Sequence, residues 1–336
     1  MTPVLPLAIL WAFIFACHAA PTVLAPSDVP VAQLHHFRSW VQYAAAAYCH
    51  DNTAAAPGHK LTCRVNNCPF VEEADTAVLR TLPNSGLTLT DTTGFIALDH
   101  TNQAIVLAIR GGTSARNTFF EFNFFLVQTD LCRGCMVEKG FLTLWSAIRA
   151  EALQAIEQAI AQNPNYEVII VGHSLGASLA TLAAVDVRKR GHTATLYSFG
   201  SARVGNRAFA AHVTAQTGNY RITHTVDPVP KLPLVAMGYS HTSPEYWITA
   251  PDNTTVETDE IEVLTGLVNW NGNSGTGFPS PLDFHAHFWY LCAFVRVSES
   301  SCRARQGVTT HDTRWSFKVL LALASSGASW LLDLER

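Results

Sequence analysis

Apolar and polar residues along this chain switch between two periods, and the switches mark its elements. Tyr166 to Val171 (YEVIIV) is an apolar run of strand length, and Ala177 to Arg188 (ASLATLAAVDVR) repeats apolar residues at the spacing of a buried helix. The same reading predicts a helix over Val31 to Tyr48 and paired strands at Gly94 to Leu98 and Ala104 to Ile109, joined as a hairpin around Asp99-His100-Thr101-Asn102. A long amphipathic helix over Phe141 to Ala161 stops at Gln162-Asn163-Pro164-Asn165. Thr193 to Phe199 is the next strand, Asn206 to Gln216 a helix, and Tyr220 to Val226 a further strand. Helix and strand alternate, which predicts an α/β fold with a predominantly parallel central sheet and helices on both faces.

At the sharpest of these switches stands Val171-Gly172-His173-Ser174-Leu175-Gly176-Ala177. A serine between two glycines, after a strand and before a helix, has the form of a nucleophile elbow. The tight turn pushes the hydroxyl out at the sheet's edge, and the glycines remove side chains that would collide there. An activated serine needs a base within hydrogen-bond reach and a carboxylate to hold that base in the right tautomer, in the chain order serine, acid, histidine. Asp227 follows the strand YRITHTV and precedes Pro228-Val229-Pro230, so it stands at a strand's end with a rigid loop behind it. Asp252 and Asp283 sit in polar loops and are poorer candidates. His285 and His287 stand two apart and spacing does not choose between them; in an extended segment both would face one side. No third ligand cluster accompanies them, so the reading assigns no metal and no cofactor.

The chain has 336 residues, 48% of them hydrophobic, and no internal repeat, enough for one large α/β core. Its net charge is −4, and no Lys/Arg run is interleaved with aromatics, which excludes a nucleic-acid footprint; no protein partner is implied. Val4 to Ala16 is an apolar run followed by small residues at Ala19 and Ala20, which reads as a secretion signal over residues 1–20, with a short membrane anchor as the alternative. Cys17 would leave with that signal, and seven thiols remain, including Cys63 with Cys68 and Cys132 with Cys135. In a cytosolic protein these two pairs would suit zinc; an oxidising destination favours local disulfides. Asn253-Thr254-Thr255 is a glycan acceptor sequence. Val319 to Leu332 is too short to span a bilayer and reads as an extra helix or a tail.

From about Phe37 to Cys302 the chain resembles the fungal class 3 triacylglycerol lipases. The strings that carry the resemblance are AAAAYC at Ala44 to Cys49, TGFIALD, VGHSLGASLA, RVGNRAFA, YRITHTVDPVPKLP, GYSHTSPEYWI and AHFWY. The resemblance implies an α/β-hydrolase fold over residues 30–302 and leaves 303–336 as an extension with no counterpart. It selects His287 as the base, with His285 the runner-up, and matches Asp227 as the acid; His224 and His241 fall in matched strings as structural residues. It further implies disulfides Cys63–Cys68, Cys132–Cys135 and Cys49–Cys302, with Cys292 as the buried free thiol.

The function implied by the resemblance is that of a secreted, extracellular lipase, cleaving acylglycerols at a lipid–water interface through an acyl-enzyme on Ser174. A feruloyl or small-ester esterase, or a mono- and diacylglycerol lipase, on the same fold is the alternative, and a catalytically dead lipid-binding protein is a third reading that the intact triad disfavours. Leu175 and the Arg110-Gly111-Gly112-Thr113 loop would supply the oxyanion donors. Relatives commonly carry Ser or Thr where this chain has Gly112, and a lost hydroxyl donor costs up to roughly 3 kcal/mol of transition-state stabilisation unless Thr113 or Ser114 replaces it. Ser114 to Phe125 packs five phenylalanines at the family's lid position. Phe119 and Phe120 are the lid candidates, Phe122, Phe124 and Phe125 are expected in the core, and Tyr48 is expected beside the oxyanion loop at the substrate side.

Overall fold

The structure is a computed structural model that describes residues 29–64, 66–82, 93–112, 124–277, 284–291 and 293–294. Its main sheet has eight strands: β1 (Thr76–Leu82), β2 (Gly94–Asp99), β3 (Ala104–Ile109), β4 (Glu167–His173), β5 (Thr195–Phe199), β6 (Asn219–His224), β7 (Glu245–Ile248) and β8 (Ile261–Leu264). Their spatial order follows chain order. Pairing from β3 to β7 is parallel, while β1 and β2 flank one side and β8 the other in antiparallel sense. The hairpin read around Asp99 is β2–β3, with Gly94 opposite Ile109 and Asp99 opposite Ala104.

Every residue of β3 is buried, because it lies inside a sheet covered on both faces. Its side chains still divide with period two. Ile105, Leu107 and Ile109 join the core with helices Lys139–Gln162 and Leu175–Lys189, whereas Ala104, Val106 and Ala108 join the core with helix Val31–Ala46. A fully buried Ile or Leu there contributes about 1.5–3 kcal/mol of transfer free energy. Ala44 to Ala47 have no exposed surface, and their small side chains let that N-terminal helix lie directly on β4.

Helices Lys139–Gln162 and Leu175–Lys189 run slightly beyond their expected limits, while Val31–Ala46 and Arg207–Thr214 stop short of theirs. Glu138 accepts the Phe141 N–H at 2.7 Å and so starts the long helix at Lys139. Strand β6 is shorter than expected. It ends at His224 because Thr225 turns at φ 33°, which leaves Asp227 on the loop beyond the strand.

One core expectation is overturned. Phe125 is 63% exposed and Phe124 only half-buried among the described residues; they lead into Leu126–Gln128, the edge strand of a second, four-stranded antiparallel sheet. Cys63–Cys68 and Cys132–Cys135 are disulfides, with Cα separations of 5.8 and 5.3 Å. Cys49 is buried; Cys292 and Cys302 lie outside the described residues, as do Phe119, Phe120, Phe122 and the segments 1–20 and 303–336. Asn253 is exposed in a turn at φ 62°. Among the described residues no helix is long and apolar enough to cross a membrane.

Candidate active site

Ser174 stands between β4 and helix Leu175–Lys189 with φ 59° and ψ −130°, a backbone conformation that strains any residue with a Cβ. Close packing enforces it. A Cβ on Gly172 would meet the backbone of Gly176 and Ala177, and one on Gly176 would run into Ile109 and Arg110. Ser174 N–H donates to the Phe199 carbonyl at 2.9 Å, and its own carbonyl accepts from Ala177 at 3.0 Å, so both sides of the turn are tied to neighbouring elements. Leu175, the first helical residue, points its N–H out of the helix start, where no intrahelical acceptor exists. Gly111 packs against the nucleophile: a Cβ there would meet the Tyr48 hydroxyl, the His173 carbonyl and Ser174 Cβ. Gly112 beside it is buried; Thr113 and Ser114 lie outside the described residues.

Asp227 and His287 are both completely buried and joined directly. His287 Nδ1 lies 2.9 Å from Asp227 Oδ2 and 3.0 Å from Oδ1. A carboxylate only accepts, so Nδ1 carries the proton and Nε2 is the bare nitrogen. Two further donors hold the carboxylate, the Val229 N–H on Oδ1 at 2.9 Å and the Tyr290 hydroxyl on Oδ2 at 2.6 Å. Asn273 Nδ2 donates to the Asp227 carbonyl at 2.9 Å and fixes the loop from behind. Burial, reinforced by the Asp227 charge, pushes the Tyr290 phenol well above its ordinary range and keeps it a donor. Lys231, buried near Asp227, is pushed down to about 8 by burial, against the pull of that carboxylate.

His287 Nε2 and Ser174 Oγ are buried and make no hydrogen bond to any atom of the described residues. The serine–base link is therefore open in this structure, the state in which such contacts wait for substrate to tighten them. The choice between the two histidines is decided by backbone. His285–Phe288 is a short helix rather than an extended segment, so residues two apart point to opposite sides; His287 is inside and His285 outside.

Tyr48 is 8% exposed, and its hydroxyl lies 2.9 Å from His173 Nδ1, beside Gly111 as expected but engaged with the protein rather than open to solvent. His173 Nε2 lies 2.7 Å from the His287 carbonyl. Burial, and next to it the neighbouring His287, hold the His173 imidazole well below its ordinary value, so it is neutral. Sequence reasoning did not single out Tyr290, Asn273 or His173. Tyr290 and His173 lie inside the strings AHFWY and VGHSLGASLA; nothing local marks Asn273.

A sheet with parallel strands, a strained serine at the first turn after β4 and a buried Asp–His pair from later loops define an α/β-hydrolase fold built around a nucleophile elbow. The model of the class 3 lipases matches residues 106–237, and that of the lipase 3 N-terminal region matches residues 8–80. Secreted mono- and diacylglycerol lipase A of Penicillium camembertii is 50% identical over 281 residues, 83% of this chain and 90% of that protein. Secreted mono- and diacylglycerol lipase 1 of Fusarium solani is 41% identical over 265 residues, 78% of this chain and 77% of its own length. The crystal structure of the mono- and diacylglycerol lipase from Aspergillus oryzae superposes with a TM-score of 0.76 at 46% identity, covering 82% of this chain and 100% of that one. The chain belongs to the class 3 lipase family. It is a secreted carboxylic ester hydrolase.

Proposed function

We propose that the protein hydrolyses mono- and diacylglycerols at a lipid–water surface, with Ser174 as nucleophile, His287 as general base and acid, and Asp227 as the group that orients and charges the base. The observation that carries this reading is the pairing of two unpartnered buried atoms, Ser174 Oγ and His287 Nε2, with an Asp227 carboxylate held from three sides. His287 Nε2 takes the hydroxyl proton as Ser174 Oγ attacks the ester carbonyl, and Asp227 stabilises the imidazolium. Charge on the carbonyl oxygen meets the N–H groups of Leu175 and Gly112. His287 then passes its proton to the leaving glycerol oxygen, and water, activated by the same nitrogen, cleaves the acyl-enzyme. The preference for partial glycerides is supported by the two relatives at 50% and 41% identity, both named mono- and diacylglycerol lipases.

The test compares purified enzyme on emulsified monoacylglycerol, diacylglycerol and triacylglycerol and on a soluble ferulate ester. Partial glycerides turn over fastest, and Ser174→Ala removes activity on all four. Fastest turnover of triacylglycerol or ferulate would overturn the substrate assignment; a loss of less than about a hundredfold in Ser174→Ala would overturn the catalytic one.

A further inference from the structure

Two buried residues outside the Ser174–His287–Asp227 set converge on the turn that carries the base. His173 Nε2 lies 2.7 Å from the carbonyl of His287, and His224 Nδ1 lies 2.9 Å from the carbonyl of Ala286, the preceding residue. Carbonyl oxygens only accept, so His173 donates from Nε2; His224 faces a carbonyl at each nitrogen, Ala286 from Nδ1 and Ala250 2.9 Å from Nε2, and holds Ala286 with its proton on Nδ1. Two successive backbone carbonyls of the His285–Phe288 turn are thus held by N–H groups from the ends of two stretches of the sheet, β4 and β6. The turn is a single helical turn, in which the His287 N–H donates to the Phe284 carbonyl at 3.0 Å.

The tautomer of His173 is set by the same logic. With its single proton on Nε2, Nδ1 is an acceptor, and the Tyr48 hydroxyl donates to it at 2.9 Å. Tyr48 also abuts Gly111, so one line of contacts runs from the oxyanion loop through Tyr48 and His173 to the backbone of the base. The His173 and His287 rings lie with centroids 4.5 Å apart and planes tilted by 34°, which leaves the base no room to swing away from Ser174 on that side. His173, His224 and Tyr48 have less than a tenth of their surface exposed.

We propose that His173 and His224 are positioning residues for the general base, each placing His287 through a main-chain carbonyl, with Tyr48 setting the tautomer of His173. The inference rests on the assignment of His287 as base to Ser174, which Ser174→Ala tests separately. Neither ring touches the reacting atoms; each acts on turnover through the register of His287 Nε2 against Ser174 Oγ.

The two rings use different nitrogens, and this provides a crossed test. A glutamine amide reaches the place of Nε2 and an asparagine amide the place of Nδ1. His173→Gln keeps its donor and His173→Asn loses it; His224→Asn keeps the donor to Ala286, whereas His224→Gln leaves only the one to Ala250. On a soluble p-nitrophenyl ester, the donor-keeping variants retain kcat within about threefold of the parent and the donor-losing ones fall by about thirtyfold or more, with KM within about twofold throughout. A purely structural role for either ring would lower thermal stability without this inversion. Equal loss in Gln and Asn at both positions, or losses confined to KM or Tm, would overturn the proposal. If the histidine variants do not fold, Tyr48→Phe decides the matter. It lowers kcat and the rate of Ser174 phosphonylation by diethyl p-nitrophenyl phosphate together, by about tenfold at unchanged KM; an unaltered rate would sink the idea.

Discussion

Acidification tests how this site is held together, because two buried histidines must stay neutral for the fold to stand. His173 and His241 are both held well below the ordinary value of 6.5, chiefly by burial, with His287 beside the first and Arg221 and Arg203 beside the second. Their folded values are depressed, so near pH 6 the unfolded chain binds a proton at each site and the native chain does not. Stability therefore falls as pH falls. The contribution is complete above 6.5 and is lost progressively from there down to the folded values. Between about pH 7 and about pH 5.5 each histidine removes roughly 1 kcal/mol, and the two together roughly 2 to 3 kcal/mol. Many carboxylates also titrate on the way down, so the measurement is a difference: urea unfolding at both pH values for the parent and for the His173→Gln, His241→Gln double variant. Glutamine retains a donor at the place of Nε2, which at His241 serves the Pro230 carbonyl 2.6 Å away. The variant is expected to lose roughly 2 to 3 kcal/mol less than the parent over that range. An identical loss in both would show that these rings do not resist protonation, and the argument for a neutral His173 would fall with it.

Other perturbations address the chemistry. Asp227→Asn replaces the acceptor facing His287 Nδ1 with an amide that favours the wrong tautomer, so kcat falls by about 10³ to 10⁴ at little-changed KM; a loss under tenfold in steady-state kinetics would refute the orienting role. Gly112→Ser offers a hydroxyl beside the Leu175 N–H and is expected to raise kcat by about tenfold or more on at least one ester, within the roughly 3 kcal/mol range of one oxyanion donor. No change on a panel of acyl chain lengths would show that the hydroxyl does not reach the oxyanion. Ser174→Gly abolishes turnover yet stabilises the fold by about 1–2 kcal/mol, because glycine relaxes φ 59° and a buried hydroxyl without a partner among the described residues is removed. Differential scanning calorimetry reads this as a higher Tm than the parent; a lower one would mean the elbow is not strained.

What could be read from the chain in advance was local. The elbow was legible because its strand, its glycines and its helix are contiguous, and Asp227 because a strand and a proline loop frame it. His287 was not separable from His285 by spacing, since the answer depends on whether two residues lie on a strand or on a helical turn, and the aromatic-rich run DFHAHFWY satisfies either pattern. Phe125 shows the opposite failure. Its composition says core, but it leads into an edge strand and is exposed among the described residues. Tyr48 and His173 are 125 positions apart, and Tyr290 is 63 positions from Asp227; no local period marks a pair made across the sheet.

These long-range bonds explain how the chain tolerates a site that breaks local rules. A serine at positive φ costs of order 1–3 kcal/mol, and two buried polar atoms without partners cost further. Relaxation would be easy if the surrounding backbone could give. It cannot, because Gly172, Gly176 and Gly111 admit no side chain between β4, β3 and the helix start, so the elbow has no looser packing to fall into. On the other side, the Asp227 carboxylate is held by Val229, Tyr290 and His287, and the base turn by His173 and His224. The contacts that hold the triad are closed, and among its side chains the unspent capacity lies on Ser174 Oγ and His287 Nε2. Those are the two atoms between which a proton must move, and substrate is the partner that brings them into use.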